Sequence, residues 1–161
     1  RSTLFPYTTL FRSRHMQVAR LAPDHVSHIF RAIAVMATEL FSLVPAAAGE
    51  SLAASARALG HPGERARELA FHETLISYID NRYLEKIYQQ FLDGYIGYVI
   101  LYLKEDNQES AQILSSLMEA IRQGDRAEIA QETQRYFLSL AEIMRQHMKD
   151  WESAEASIRE N

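Results

Sequence analysis

Apolar residues recur at helical intervals along almost the whole chain. Between Glu64 and Ile79, residues Leu69, Phe71, Leu75, Ile76 and Ile79 predict a helix with one buried face. An earlier run of Val26, Ile29, Phe30, Ile33, Val35, Met36, Leu40 and Phe41 follows Pro23-Asp24. It predicts a helix from about Asp24 to Leu43, ended by Pro45 and Gly49. The run is wide, so this helix is expected to be covered on more than one side. Glu50 to Leu59 is Ala-rich and helix-prone, and Gly60-His61-Pro62-Gly63 punctuates it. Asp80-Asn81 is a break, because both residues prefer caps and turns.

Beyond the break, Leu84, Ile87, Tyr88, Phe91, Tyr95, Tyr98, Val99 and Tyr102 keep helical spacing for about six turns. Gly94 and Gly97 interrupt this run, each costing about 1 kcal/mol relative to Ala in a helix. Close helix approach, or room for a bound molecule, would compensate. Lys104-Glu105-Asp106-Asn107 reads as a polar loop. Ile113, Leu114, Leu117, Met118 and Ile121 then share one face of a fifth helix. At Gln123-Gly124-Asp125 the glycine ends that helix and Asp125 caps the next. The last helix runs from about Arg126 past Trp151, with Ile129, Thr133, Tyr136, Phe137, Leu140, Met144 and Met148 inward and a polar, frayed tail. The expected fold is all-α, an antiparallel bundle of about six helices with short connections.

Composition narrows the class. A chain of 161 residues suits one domain with its own core, and 47% hydrophobic with 24% charged residues is a globular balance. Ten glycines and prolines together are too few for an all-β protein rich in tight turns. There is no cysteine, which excludes disulfides and thiolate metal sites and fits a cytoplasmic setting. No run of about 20 apolar residues would span a membrane. A net charge of −4 lacks the basic footprint of a nucleic-acid binder.

The first thirteen residues stand apart. Thr3 to Ser13 resembles the in-frame translation of a short-read sequencing adapter along all eleven residues, so residues 1–13 are set aside as non-native. A genuine N-terminal strand is the alternative. Without Arg1 and Arg12 the net charge falls from −4 to −6. Residues 14–161 are then the domain, and coding sequence before Arg14 is expected to be missing.

Chemistry concentrates near the middle of the chain. Glu68 and His72 lie four apart on one helix face. They could line a cavity, or form an ordinary polar pair. His25 and His28 are spaced like a ligand pair, but a solvated first turn is the simpler reading. An acid–base enzyme using His72 with Glu68 or Glu73 lacks a nucleophile, a phosphate loop or a metal triad, so no enzymatic activity is expected.

Phe71-His72 with Asn81-Arg82-Tyr83-Leu84, and Ile121-Arg122-Gln123-Gly124-Asp125, resemble the FCD domain. This is the ligand-sensing C-terminal half of one subfamily of GntR-type bacterial transcription regulators. The resemblance spans about Val18 to Met148. It implies a helical bundle binding a small carboxylate-bearing or acyl metabolite, homodimerisation, and DNA binding only through an absent N-terminal winged helix-turn-helix. Arg31 falls near where the family has an arginine in its ligand pocket. The implied ligand-binding residues are His72, Glu68, Arg31, Tyr136 and Leu114.

Many FCD domains hold a divalent metal with an Asp and three His. Those positions fall on Glu68, His72, Leu114 and Tyr136. Leucine cannot ligate, and a neutral tyrosine is a poor ligand against a reference pKa near 10. His147 lies eleven residues past Tyr136, roughly 16 Å along a helix, too far to substitute. Glu68 and His72 alone make half a site, so no metal cofactor is expected. Seven tyrosines, Tyr78, Tyr83, Tyr88, Tyr95, Tyr98, Tyr102 and Tyr136, point to an aromatic interior, with one or two facing a ligand. A bundle that dimerises without any ligand is the remaining reading.

Overall fold

The computed structural model describes residues 22–61 and 65–159. The segment 1–13 and the residues up to Leu21 lie outside the described residues, as do Pro62, Gly63 and Glu64. Six α-helices account for most of the described chain, with no strand among the described residues. They are α1 (Pro23–Ser42), α2 (Ala46–Ala58), α3 (Arg65–Ser77), α4 (Arg82–Phe91), α5 (Gln108–Gln123) and α6 (Arg126–Arg159). No helix among the described residues is long and apolar enough to cross a membrane.

The apolar periodicity places the helices correctly in phase. Val26, Phe30, Ile33, Leu40 and Phe41 of α1 are buried, and α1 packs most extensively on α6, where Ile129, Tyr136, Phe137, Leu140 and Met144 face inward. Val35 is the exception on α1, exposed at 65%. Asn81 caps α4, its side-chain oxygen accepting from the backbone N–H groups of Tyr83 and Leu84. Gly124 adopts φ 70°, the left-handed cap that glycine allows, and Asp125 Oδ1 accepts from Ala127 and Glu128 to start α6. Helix α6 extends to Arg159.

Two boundaries differ from expectation. Gly49 does not end a helix; it lies buried within α2, which Pro45 starts. A Cβ at Gly49 would stand 2.6 Å from Met118 O and 2.8 Å from Arg122 N on α5. The glycine therefore serves contact between the backbones of α2 and α5. Gly49→Ala is expected to destabilise by about 1–3 kcal/mol through overpacking, despite its better helix propensity. Urea unfolding measures this, and an unchanged or raised midpoint would refute the close approach.

The second difference is the run after α4. It is not one six-turn helix: it passes into π-helical segments at Leu92–Ile96 and Val99–Leu103, with Gly94 outside helical dihedrals (φ −108°, ψ −107°). A Cβ on Gly97 would overlap the Leu92 carbonyl oxygen, five residues back, so this glycine serves the wide turn itself. The second π-helical segment packs against both α3 and α6. It ends at Lys104, whose backbone is extended (φ −70°, ψ 139°). Arg65 at the start of α3 donates to the carbonyls of Leu101 (3.5 Å) and Glu105 (3.1 Å), holding this end against α3. The bend thus delivers a lysine to the middle of the bundle.

Candidate functional site

Glu68 and His72 project from the same face of α3 into the bundle, and both are fully buried. Burying an acid and an imidazole is costly unless every polar atom finds a partner. Here each does. Lys104 Nζ donates to both carboxylate oxygens of Glu68, at 2.9 and 2.7 Å, and also to Ser110 Oγ at the start of α5. All three ammonium hydrogens therefore have acceptors, and the ion pair is closed to water, with side-chain exposures of 4% and 0%.

From α6, Tyr136 connects the pair to the histidine. Its hydroxyl donates to Glu68 Oε1 at 2.7 Å and lies 2.7 Å from His72 Nε2. The hydroxyl has one proton, committed to the carboxylate, so Nε2–H of His72 must be the donor to Tyr136. Nδ1 is then bare and accepts from the Tyr88 hydroxyl of α4 at 3.0 Å. The hydrogen bonds run in one direction, from Tyr88 through His72 and Tyr136 to Glu68.

The electrostatics agree with that assignment. Burial, reinforced by the nearby Lys104 charge, pushes the His72 pKa down to about 3, so the ring is neutral across the physiological range. Burial and the Glu68 carboxylate raise Tyr88 and Tyr136 well above the ordinary phenol range. Both hydroxyls keep their protons.

The expected site residues divide into two groups. His72, Glu68 and Tyr136 meet directly, and Leu114 of α5 is also fully buried. Arg31 does not join them, because it occupies an exposed position of α1 beside the buried Phe30 and faces outward. His25 and His28 are exposed as well. Of the seven tyrosines, Tyr88 and Tyr136 reach this centre, whereas Tyr83 and Tyr102 are 81% and 71% exposed.

Sequence spacing does not single out Lys104 and Ser110. Lysine is seldom buried, and the run Lys104 to Asn107 has the composition of a surface turn. Only its position directly after an apolar run offers a hint. Both residues also line an open cleft of about 560 Å³, whose exposed sides carry Glu105, Asp106, Glu109, Glu142 and Asp150, with His147 half-buried nearby. His147 therefore shares this cleft with Lys104, though it makes no ligand set.

The donor set does not fit a divalent metal. Both Glu68 oxygens carry the ammonium, both His72 nitrogens carry tyrosine hydroxyls, Tyr136 is neutral and Leu114 has no donor atom. No group of three or more His, Cys, Asp or Glu suited to a metal ion occurs among the described residues.

Comparison with known proteins yields no match among the curated proteins and none among the solved structures. The FCD domain profile, however, matches residues 16–150, which include every residue of this network. The chain belongs to the FCD domain family.

Proposed function

We propose that this chain is the effector-sensing and dimerising half of a GntR-type transcription regulator. It takes up a small carboxylate-bearing or acyl metabolite among its helices and thereby controls DNA binding by a winged helix-turn-helix domain encoded before Arg14. Family membership over residues 16–150 carries this reading. The buried polar centre supports it, since Glu68 and His72 of α3 meet Tyr136 of α6 where an ordinary bundle would hold hydrocarbon. Leu114 supplies an apolar wall.

Because the polar atoms are paired with one another, an effector must exchange hydrogen bonds to enter. Lys104 is the group able to move its charge from Glu68 to an incoming carboxylate. The open cleft beside Lys104 and Ser110 is the proposed approach, and its acidic sides disfavour polyanions. The full burial of Glu68, His72, Tyr88 and Tyr136 also favours a second reading, a dimerising bundle that takes no ligand.

A thermal-shift screen of organic acids and acyl compounds separates the two. An effector at about 100 times its Kd contributes about 2.7 kcal/mol, which for a domain of this size raises Tm by roughly 5–10 °C. The shift should shrink in Lys104→Met relative to that variant's own baseline. No stabilising compound, together with a full-length gene lacking a winged helix-turn-helix before Arg14, would overturn the regulator reading. A monomer by light scattering would remove its dimer clause.

A further inference from the structure

Lys104 has a role that the effector reading does not require. We infer that its ammonium is a built-in cation, standing where metal-binding FCD domains hold a divalent ion and leaving this domain independent of metal. The inference rests on family membership and on the geometry around Glu68, not on any effector.

Four observations meet at this point. The carboxylate that falls at the family's acidic ligand position spends both oxygens on Nζ, at 2.9 and 2.7 Å, instead of keeping one for a metal. The imidazole beside it directs Nε2 to Tyr136 at 2.7 Å and Nδ1 to Tyr88 at 3.0 Å, so its one lone pair, on Nδ1, is engaged while the network is closed. Leu114 and Tyr136 stand where two further histidines would be needed, one without a donor atom and one committed to Glu68. The ammonium itself is complete, bonded to Glu68 and to Ser110.

Charge gives the same answer. Glu68 and Lys104 neutralise each other in a site closed to water. Adding a dication beside an ammonium there would leave two uncompensated positive charges in a low-dielectric interior, where like charges repel strongly. A metal could enter only if Lys104 left. The lysine comes from the π-helical bend and not from α3, α5 or α6, so one residue on a separate segment converts the carboxylate–imidazole half-site into a closed ion pair.

The test uses the whole chain with metal ions as the only probes. In a 15N-detected spectrum the Lys104 ammonium should give a protected Nζ signal that ten equivalents of Zn2+ leave unchanged. Loss of that signal with one equivalent of Zn2+ would overturn the inference. Calorimetry with Zn2+, Ni2+ and Mn2+ then compares the parent with Lys104→Ala. Removing the ammonium is expected to tighten metal binding at least tenfold, with the gain abolished by adding His72→Ala, which separates it from binding at the exposed histidines. A folded Lys104→Ala no more responsive than the parent would also overturn it. If that variant does not fold, the Nζ signal of the parent decides alone.

Discussion

Lys104→Met is expected to lower the free energy of unfolding at pH 7 by about 3–5 kcal/mol, among the largest effects any single substitution in this chain should have. The variant strands the Glu68 carboxylate, fully buried and deprived of its counter-charge, while Tyr136 continues to donate to one oxygen. The paired change Lys104→Met/Glu68→Gln should recover most of the loss, because a neutral amide still accepts from Tyr136 and leaves no bare charge. Urea unfolding of the parent, both single variants and the double variant gives the coupling between the two sites. A cost below about 1 kcal/mol for Lys104→Met would mean that the pair is solvated, as surface pairs are.

The second large effect is a loss of stability on mild acidification, traced to His72. Its native pKa of about 3 lies below the 6.5 of an unfolded histidine, so the unfolded state binds the proton first. Stability from this residue is therefore complete above pH 6.5 and is lost progressively as pH falls towards 3. The slope reaches about 1.4 kcal/mol per pH unit, or about 2 kcal/mol between pH 6.5 and 5. Lys104, Glu68, Tyr88 and Tyr136 are the groups around the ring, and none can accept its second proton without breaking a bond already made. His72→Gln should lose this slope. Equal slopes for parent and variant in that window would show that His72 titrates as an exposed imidazole does.

Both predictions turn on a network only half of which is legible in the sequence. Glu68 and His72 are legible because four-residue spacing puts them on one helix face. Tyr136 is legible through the apolar period of α6, and Asn81, Gly124 and Asp125 through the backbone chemistry of caps. Lys104 is not. Its neighbours Glu105 and Asp106 have the polarity of a solvated loop, and nothing local says that the preceding turns widen into π-helix and swing the lysine inward. Gly97 marks the wide turn only once the Leu92 carbonyl is seen against it, since a glycine in a helical run can equally serve a close contact between helices. Gly49 resembles a helix end in the sequence, yet tertiary contact with α5, not local propensity, decides its place. Arg31, singled out by its position relative to the family, stands exposed on α1.

The physical picture is a bundle whose centre holds a neutral imidazole, two phenols and a closed ion pair in place of hydrocarbon. Such a network is rigid while every bond is made, and an incoming ligand or proton must break several at once. In the proposed reading, occupancy would carry consequences to α3, α4, α5, α6 and the bend between them. The closed network also explains why deleting one member should cost more than its single hydrogen bond.

The central claim, that these side chains form one directed and self-satisfied network, is tested most directly by the ring nitrogens of His72 in a long-range 1H–15N spectrum recorded from pH 7.5 to 5. The network requires a proton on Nε2, none on Nδ1, and no change over that range. A ring protonated on Nδ1, or one carrying both protons by pH 5.5, would contradict it.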